Sequence, residues 1–427
     1  MMRKKSVNHS VDAAATECSL NLAAGRSLLA AGEKSTLCLK IGVTGFETES
    51  EMKRPRLNVA LVIDRSGSMA GSNIEQAKHA ASHAVNLLRE DDIVSVVIYD
   101  DEVEVLVPAT KVSNKRDILS KIDSIGIGGC TALYAGTEKG GREVKKFFEK
   151  GYVNRVVLLS DGLANVGPST PEELEKLGRK LGGKGICVTT LGLGEGYDED
   201  LMQRLARASD GNHFFVTSER KLVEVFDEEF KTATKVVASE VACEVTCAEG
   251  VRPIRVLNRD AKIRGQKVSF SWNQIYSGHE RYVLLEVEVP AGKDGEKLSV
   301  AEAKLTYANM VTRRAETVTK TIEVAYSASE RAVKASENED VMKDYAEQKV
   351  AEAREEAIQL RDRGDIVGAQ ARLESSQMYA CYSPVLAKEI ADEAEAVENE
   401  GVWNTARKMM RARANKSRTQ QKGDSVR

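Results

Sequence analysis

Between residues 57 and 234 the chain alternates short apolar runs with stretches of helical period. Residues 57–63 (LNVALVI) are almost unbroken apolar, as expected of a strand buried on both faces. Ile74, Ala77, Ala81, Ala84, Val85 and Leu88 then recur at helical spacing, with Ser72 or Asn73 placed to cap the helix start. The same reading predicts strands at 92–99, 102–108 (an antiparallel edge), 154–160, 185–193 and 213–216. It predicts helices at 115–125, from the glycine-rich 126–136 to about 149, from Pro171 to about 181, at about 199–208, and at 219–233. Strands and helices alternating at this pace imply an α/β, doubly wound, mainly parallel, Rossmann-like sheet covered on both faces. We place this domain at 57–234.

The flanks differ. Residues 1–34 read as a disordered or extended N-terminus, polar at its start. In 35–43, Leu37, Leu39, Ile41 and Val43 fall on one side of a strand, and 47–56 is a charged linker. Residues 235–327 switch to short strands separated by turn residues, an all-β, sandwich-like module. The strand 35–43 has no partner nearby. It is therefore expected to pair into that module, with the α/β domain inserted between. Residues 328–400 are Ala- and Glu-rich and form a C-terminal helical region, a hairpin joined at Arg363-Gly364-Asp365. One helix pair cannot bury its own apolar face, so it must dock on this chain or on a partner. Residues 401–427 turn basic and read as a disordered tail.

Composition narrows the function. Hydrophobic residues make up 42% and charged residues 30%, with a net charge of −3, so no global field draws the chain onto nucleic acid or an anionic membrane. The start MMRKK is basic but lacks the apolar stretch of a signal peptide, and no run approaches the roughly 18 apolar residues of a membrane span. The cysteines, seven in number, form no CxxC pair, which suits reduced thiols and a cytoplasmic setting. Cys243 and Cys247 alternate with apolar residues, so packing in a strand is the reading preferred to chelation.

Three loops carry the chemistry. Asp64-Arg65-Ser66-Gly67-Ser68 follows the first buried strand, Gly128-Gly129-Cys130-Thr131 precedes a helix, and Ser160-Asp161-Gly162 follows a later buried strand. Ligands of open parallel sheets bind outside the carboxyl ends of the strands. Asp64, Ser66, Ser68, Thr131 and Asp161 all offer oxygen, which hard cations such as Mg²⁺ prefer, with Mn²⁺ or Ca²⁺ as other occupants. Gly67 and Gly129 leave the backbone room to fold closely. Two carboxylates balance one divalent charge, and hydroxyls leave the ion electron-poor, so it would accept an Asp or Glu carboxylate from a protein partner.

These motifs, with VVLLSDGLAN and the later stretch 189–216, resemble the metal-ion-dependent adhesion site (MIDAS) of von Willebrand factor A-type (vWA) domains. That pattern is DxSxS, a downstream Thr, and an Asp after a later strand, and every position is filled here. The resemblance implies that Ser66, Ser68 and Thr131 touch the ion directly, and that Asp64 and Asp161 act directly or through water. It implies a cation-dependent protein-binding scaffold rather than an enzyme, in some members beside AAA-type ATPases. The layout of this domain followed by β and helical segments is similar to that of bacterial members.

Other features are weaker. The run Gly192-Leu193-Gly194-Glu195-Gly196 lacks dinucleotide-binding spacing, and there is no Walker A sequence. His79 and His83 stand i, i+4 on a helix but lack a third ligand. Asp100-Asp101-Glu102 reads as a solvated acidic turn with at most weak affinity for Ca²⁺. Two rival functions remain: a hydrolase using the metal to activate water, and a nucleic-acid-associated protein acting through the basic tail.

Overall fold

The computed structural model describes residues 16–48, 54–149, 151–194, 196–216 and 218–420. Residues 1–15, residues 49–53 of the charged linker, Glu195 and residues 421–427 of the tail lie outside them. In the first stretch β1 (Ser19–Ala24), β2 (Leu28–Ala30) and β3 (Ser35–Thr44) precede the α/β domain. That domain runs β4 (Arg56–Asp64), α1 (Ser72–Leu87), β5 (Ile93–Tyr99), β6 (Val103–Lys111), α2 (Lys115–Asp123), α3 (Leu133–Lys146), β7 (Tyr152–Ser160), α4 (Pro171–Gly182), β8 (Ile186–Leu193), α5 (Glu199–Ala208), β9 (His213–Val216) and α6 (Glu219–Ala233).

Its sheet has the order β6-β5-β4-β7-β8-β9, all parallel except the edge strand β6. The strand order runs outward in opposite senses from β4 and β7, the position where doubly wound sheets open a crevice at the strands' carboxyl ends. Apolar side chains bury both faces of β4, β5, β7 and β8, which explains their unbroken apolar sequence. Helix α3 lies close because it is glycine-rich where it crosses the sheet. A Cβ on Gly136 would press on the Tyr99 ring, and one on Gly140 on Val62.

The chain then forms β10 (Val236–Cys247), β11 (Arg252–Val256), β12 (Lys262–Arg264), β13 (Lys267–Tyr276), β14 (Glu280–Val289), β15 (Lys297–Asn309) and β16 (Ala315–Ser327). Two sheets pack face to face, β1-β3-β14-β11 and β12-β13-β10-β15-β16-β2. Strand β3 pairs with β14 over ten residues, from Ser35 opposite Val289 to Thr44 opposite Glu280. The α/β domain is thus inserted in the connection from β3 to β10. Within residues 16–34 β1 and β2 are strands of the sandwich, so the disordered alternative for 1–34 does not hold there. These short edge strands alternate only weakly, and β2 pairs with β16, some three hundred residues away in sequence. Cys243 and Cys247 are buried in the sandwich core. Burial pushes their thiols up to about 12 and about 11, which disfavours the thiolate a metal needs.

The helical region comprises α7 (Glu330–Ala335), α8 (Glu339–Asp362), α9 (Ile366–Ser375), α10 (Pro384–Glu398) and α11 (Glu400–Thr419). It docks within the chain. Val341 and Tyr345 of α8 pack on Cys38, Leu257, Tyr282 and Leu284 of the outer sandwich sheet. Within the bundle the buried Arg354 pairs with Glu389 at 2.6 Å and Glu393 at 2.8 Å. The expected basic disordered tail is also corrected, because residues 400–419 are helical. Helix α11 is stabilised by carboxylates on other elements that no local reading of 401–427 contains. Arg407 bridges Glu199 and Asp200 of α5 to Asp362 of α8. Arg411 pairs with Asp200, Arg413 with Glu393, and Arg418 with Glu355. Among the described residues, no helix is long and apolar enough to cross a membrane.

Two polar clusters hold the inserted domain to the sandwich. Arg155 of β7, 2% exposed, donates to Glu229 of α6 at 2.5 Å and to Gln274 and Tyr276 of β13. Asp210, at the turn after α5, accepts from Arg259 at 3.1 Å, from Arg281 at 3.0 Å and from the Asn273 amide at 2.7 Å. Burial works against its charge, but the two guanidiniums prevail and hold its carboxyl down at about 2. A folded value below the unfolded 3.8 means that this carboxylate contributes its full stability above about pH 4 and loses it as pH falls through about 2. Asp210→Asn preserves a residue tolerant of its positive φ but leaves two arginines without their anion. It should cost about 3–5 kcal/mol in urea unfolding at neutral pH, and the deficit relative to the parent protein should narrow between pH 4 and pH 2.

Candidate functional site

Strand β4 ends at Asp64 and β7 ends at Ser160, side by side at the switch point of the sheet, with Ile63 opposite Leu159. Both loops therefore leave the same rim. Asp64 is fully buried, and both of its oxygens are engaged. Oδ1 accepts the Ser66 amide at 2.8 Å, and Oδ2 accepts the Ser160 hydroxyl at 2.5 Å and the Tyr99 hydroxyl at 3.4 Å. The carboxylate thus folds its own loop, turning the Ser66 and Ser68 hydroxyls toward one point. Burial pushes its carboxyl above the usual range, the Ser160 and Ser66 hydrogen bonds pull it back, and nearby Asp161 adds to the rise. Tyr99 is pushed well up, first by burial and then by the Asp64 charge, so its phenol stays a donor.

The hydroxyls converge from two loops, and a third brings the Asp161 carboxylate to them. Ser66 Oγ and Ser68 Oγ lie 3.2 Å apart, and Ser68 donates to Asp161 Oδ1 at 2.7 Å. A Cβ built on Gly162 would sit 3.0 Å from Ser68 Oγ, 3.5 Å from Thr131 Oγ1 and 3.9 Å from Ser66 Oγ. One small volume is thus faced by all three hydroxyls, with the Asp161 carboxylate on its edge. The structure brings the five sequence-predicted residues together.

Groups that the sequence reading did not assign hold this arrangement. Asn73 donates to Asp161 Oδ2 at 2.6 Å. The expectation that Ser72 or Asn73 caps α1 is corrected, since Gly71 occupies the cap without a side-chain bond. Asn165 Oδ1 accepts the Thr131 amide at 2.7 Å. The acidic turn at 100–102 braces the second loop. Buried Asp100 pairs with Arg65 at 2.9 Å, its carbonyl accepts the Ala132 amide at 2.7 Å, and Asp101 accepts the Cys130 amide at 3.2 Å. The loops also join directly through Gly67 N–H to the Gly129 carbonyl at 2.9 Å and Gly128 N–H to the Arg65 carbonyl at 2.7 Å. Asn165 stood inside the quoted motif, and Asn73 was legible only as a cap. The role of Asp100 depends on a fold-level neighbour and left no local signal.

The weaker candidates resolve otherwise. His79 and His83 pair with Glu219 at 2.8 Å and Asp227 at 2.7 Å, tying α1 to α6 rather than holding a metal. Among the described residues, no three His, Cys, Asp or Glu side chains gather as a metal cluster. The rim at 64–162 is of another kind, with two carboxylates and three hydroxyls.

An open parallel sheet with an oxygen-lined rim at its switch point defines a class of α/β binding domains. The family model of the von Willebrand factor type A domain matches residues 58–228, and this part of the chain is such a domain. The chain is 30% identical over 215 residues to the uncharacterized protein YfbK of Escherichia coli, a match covering 50% of this chain and 37% of that one. It spans half or less of the length of the curated relatives it matches. Its fold is similar to that of a von Willebrand factor type A protein from Catenulispora acidiphila, with a TM-score of 0.72, 17% identity, and 90% of each chain covered. It is also similar to the ArnB paralog VWA2 from Sulfolobus acidocaldarius, with a TM-score of 0.66, 16% identity, and 95% of this chain and all of that one covered. These likenesses extend over the sandwich and helices as well as the α/β domain.

A Cβ on Gly128 would run into the Asp100 carboxylate. Gly128→Ala must therefore displace either the second loop or the Arg65 brace, and should cost about 1–3 kcal/mol in thermal unfolding. A substitution of Gly126, which has nothing within 4 Å of its Cβ position, should be neutral in the same measurement.

Proposed function

We propose that the chain is a divalent-cation-dependent protein-binding module, a scaffold rather than an enzyme. Ser66, Ser68 and Thr131 would hold the ion, Mg²⁺ first and Mn²⁺ or Ca²⁺ as alternatives. Asp64 would act from behind through the Ser66 loop, and Asp161 directly or through water. The observation that carries the reading is the convergence of three uncharged hydroxyls and one carboxylate edge on a volume that a single Cβ at Gly162 would fill. All donors are oxygen, which suits a hard cation. So few anionic ligands leave the bound ion net positive, and an Asp or Glu from a partner protein would complete its shell. The resemblance makes an assembly with an AAA-type ATPase one candidate setting. Seven unpaired thiols, five of them buried, suit a reducing compartment such as the cytoplasm.

The rival readings find less support. A metal-dependent hydrolase needs a base near the ion, and the histidines nearest in sequence to this loop, His79 and His83, are committed to α6. The nucleic-acid reading needed a free basic tail, whereas Arg407, Arg411, Arg413 and Arg418 are paired with carboxylates of the chain itself.

The metal is tested by thermal unfolding with added Mg²⁺ or Mn²⁺ against EDTA. At one hundred times Kd the ion should stabilise the protein by about 2.7 kcal/mol. The double variant Asp64→Ala with Ser66→Ala should show no metal-dependent shift. A parent protein that unfolds identically with metal and with EDTA overturns the proposal.

A further inference from the structure

The three loops around the site share a property that the metal does not require. Apart from Asp161 itself, residues 66–74, 124–137 and 162–171 contain no charged side chain, in a chain where charged residues make up 30%. Of the charges that border them, Arg65 is paired with Asp100, while Asp101, exposed, accepts the Cys130 amide and adds a negative charge beside the mouth. Two large aliphatic side chains stand out of this neutral collar. Leu163, next to Gly162, is 59% exposed, and Ile127, next to Gly128, is 46% exposed. Gly67, Ser68, Gly129 and Cys130 fill the rest of the mouth and are also exposed. Exposed aliphatic side chains beside a polar site are costly to leave in water, and where they gather they mark surfaces that are covered in use.

We infer that this collar selects a protein partner presenting one carboxylate set among apolar residues, and not an acidic tract. The inference rests on the metal-dependent reading above and names the chemistry of its partner. A polyacidic segment would set further carboxylates beside the exposed Asp101, with Arg65 already paired to Asp100, and would strand those charges as Leu163 and Ile127 close over the contact. An aliphatic-Asp/Glu-aliphatic segment sets its carboxylate on the ion and its neighbours on those two side chains. With the three loops uncharged and Arg65 paired to Asp100, association should have about the ordinary rate of weakly charged surfaces and depend little on salt beyond the one ionic contact.

The test is surface plasmon resonance on the immobilised full chain in saturating Mg²⁺. The probes are two series of synthetic peptides with a central Glu, one flanked by Leu and Ile and the other by Glu and Asp. The apolar series should bind at least tenfold more tightly, lose binding when the central Glu becomes Gln or when EDTA is added, and vary less than about threefold between 50 and 300 mM salt. Leu163→Asp with Ile127→Asp should weaken the apolar series at least tenfold while keeping the Mg²⁺-dependent thermal shift, since both side chains are exposed and the fold does not need them. Leu163→Ser alone should give an intermediate loss. Equal binding of the two series, preference for the acidic series, or no binding by either overturns the inference. So does Mg²⁺-dependent dimerisation in sedimentation equilibrium, which would make a second copy the occupant. Each of these leaves the metal-induced shift of the parent protein intact, whereas loss of that shift would sink the metal reading itself.

Discussion

The placement of the inserted domain depends on buried charges that must find partners. Arg155 and Arg281 lie between the α/β domain and the sandwich, 2% and 6% exposed. A buried guanidinium without an anion is strongly unfavourable; Glu229 of the same domain answers Arg155, whose other nitrogen is left for Gln274 and Tyr276 of the sandwich, and Arg281 admits only arrangements that bring Asp210 to it. Arg281 also donates to the Thr419 carbonyl at 3.3 Å, so one side chain joins the insertion, the sandwich and the last turn of α11. Apolar packing alone would tolerate sliding between these parts. Charge pairing of this kind allows few registers.

The site inherits its precision from the sheet. Asp64 and Ser160 end adjacent parallel strands, so their separation is set by the hydrogen-bond ladder rather than by flexible loops. Asp64 then spends both oxygens inside the protein, shaping the loop that carries Ser66 and Ser68. The second loop has no strand beneath it and is held by backbone bonds to Arg65, Gly67 and Asp100. Its glycines belong to that brace, since at Gly128 and Gly129 the Asp100 and Asp101 carboxylates occupy the space of a Cβ. The same bracing ties up the Arg65 cation on Asp100, which links the stability of the site to the kind of surface it offers.

The C-terminal helices show how charge reads differently in isolation and in place. The basic face of α11 meets acidic residues of α5, α8 and α10 in one alternating network. Lys408 additionally lies 5.4 Å from the ring centres of Tyr197 and Phe215, beside the loop that follows β8. Through α5 and that loop, the end of the chain packs against the domain that carries the site. Part of the cost of ordering a charged helix is offset by this network of partly buried pairs, which solvent screens less than exposed ones.

The sequence by itself determined the order of elements from β4 to α6, the two-sided burial of the central strands, the pairing of residues 35–43 into the later β module, and the five oxygen-bearing residues of the rim. These follow from periodicity and from the chemical type of a few side chains, which are local properties. The edge strands β1 and β2, the helical state of residues 400–419, and the support given by Tyr99, Asp100 and Asn73 were decided by tertiary structure alone. The decisive partner is mostly distant in sequence: β16 for β2, Asp200 and Glu393 for α11, the 126–132 loop for Asp100. Hydrogen bonds and ion pairs act over a few ångströms in space, whatever the separation along the chain, so only the folded structure could show which charges and edges were satisfied.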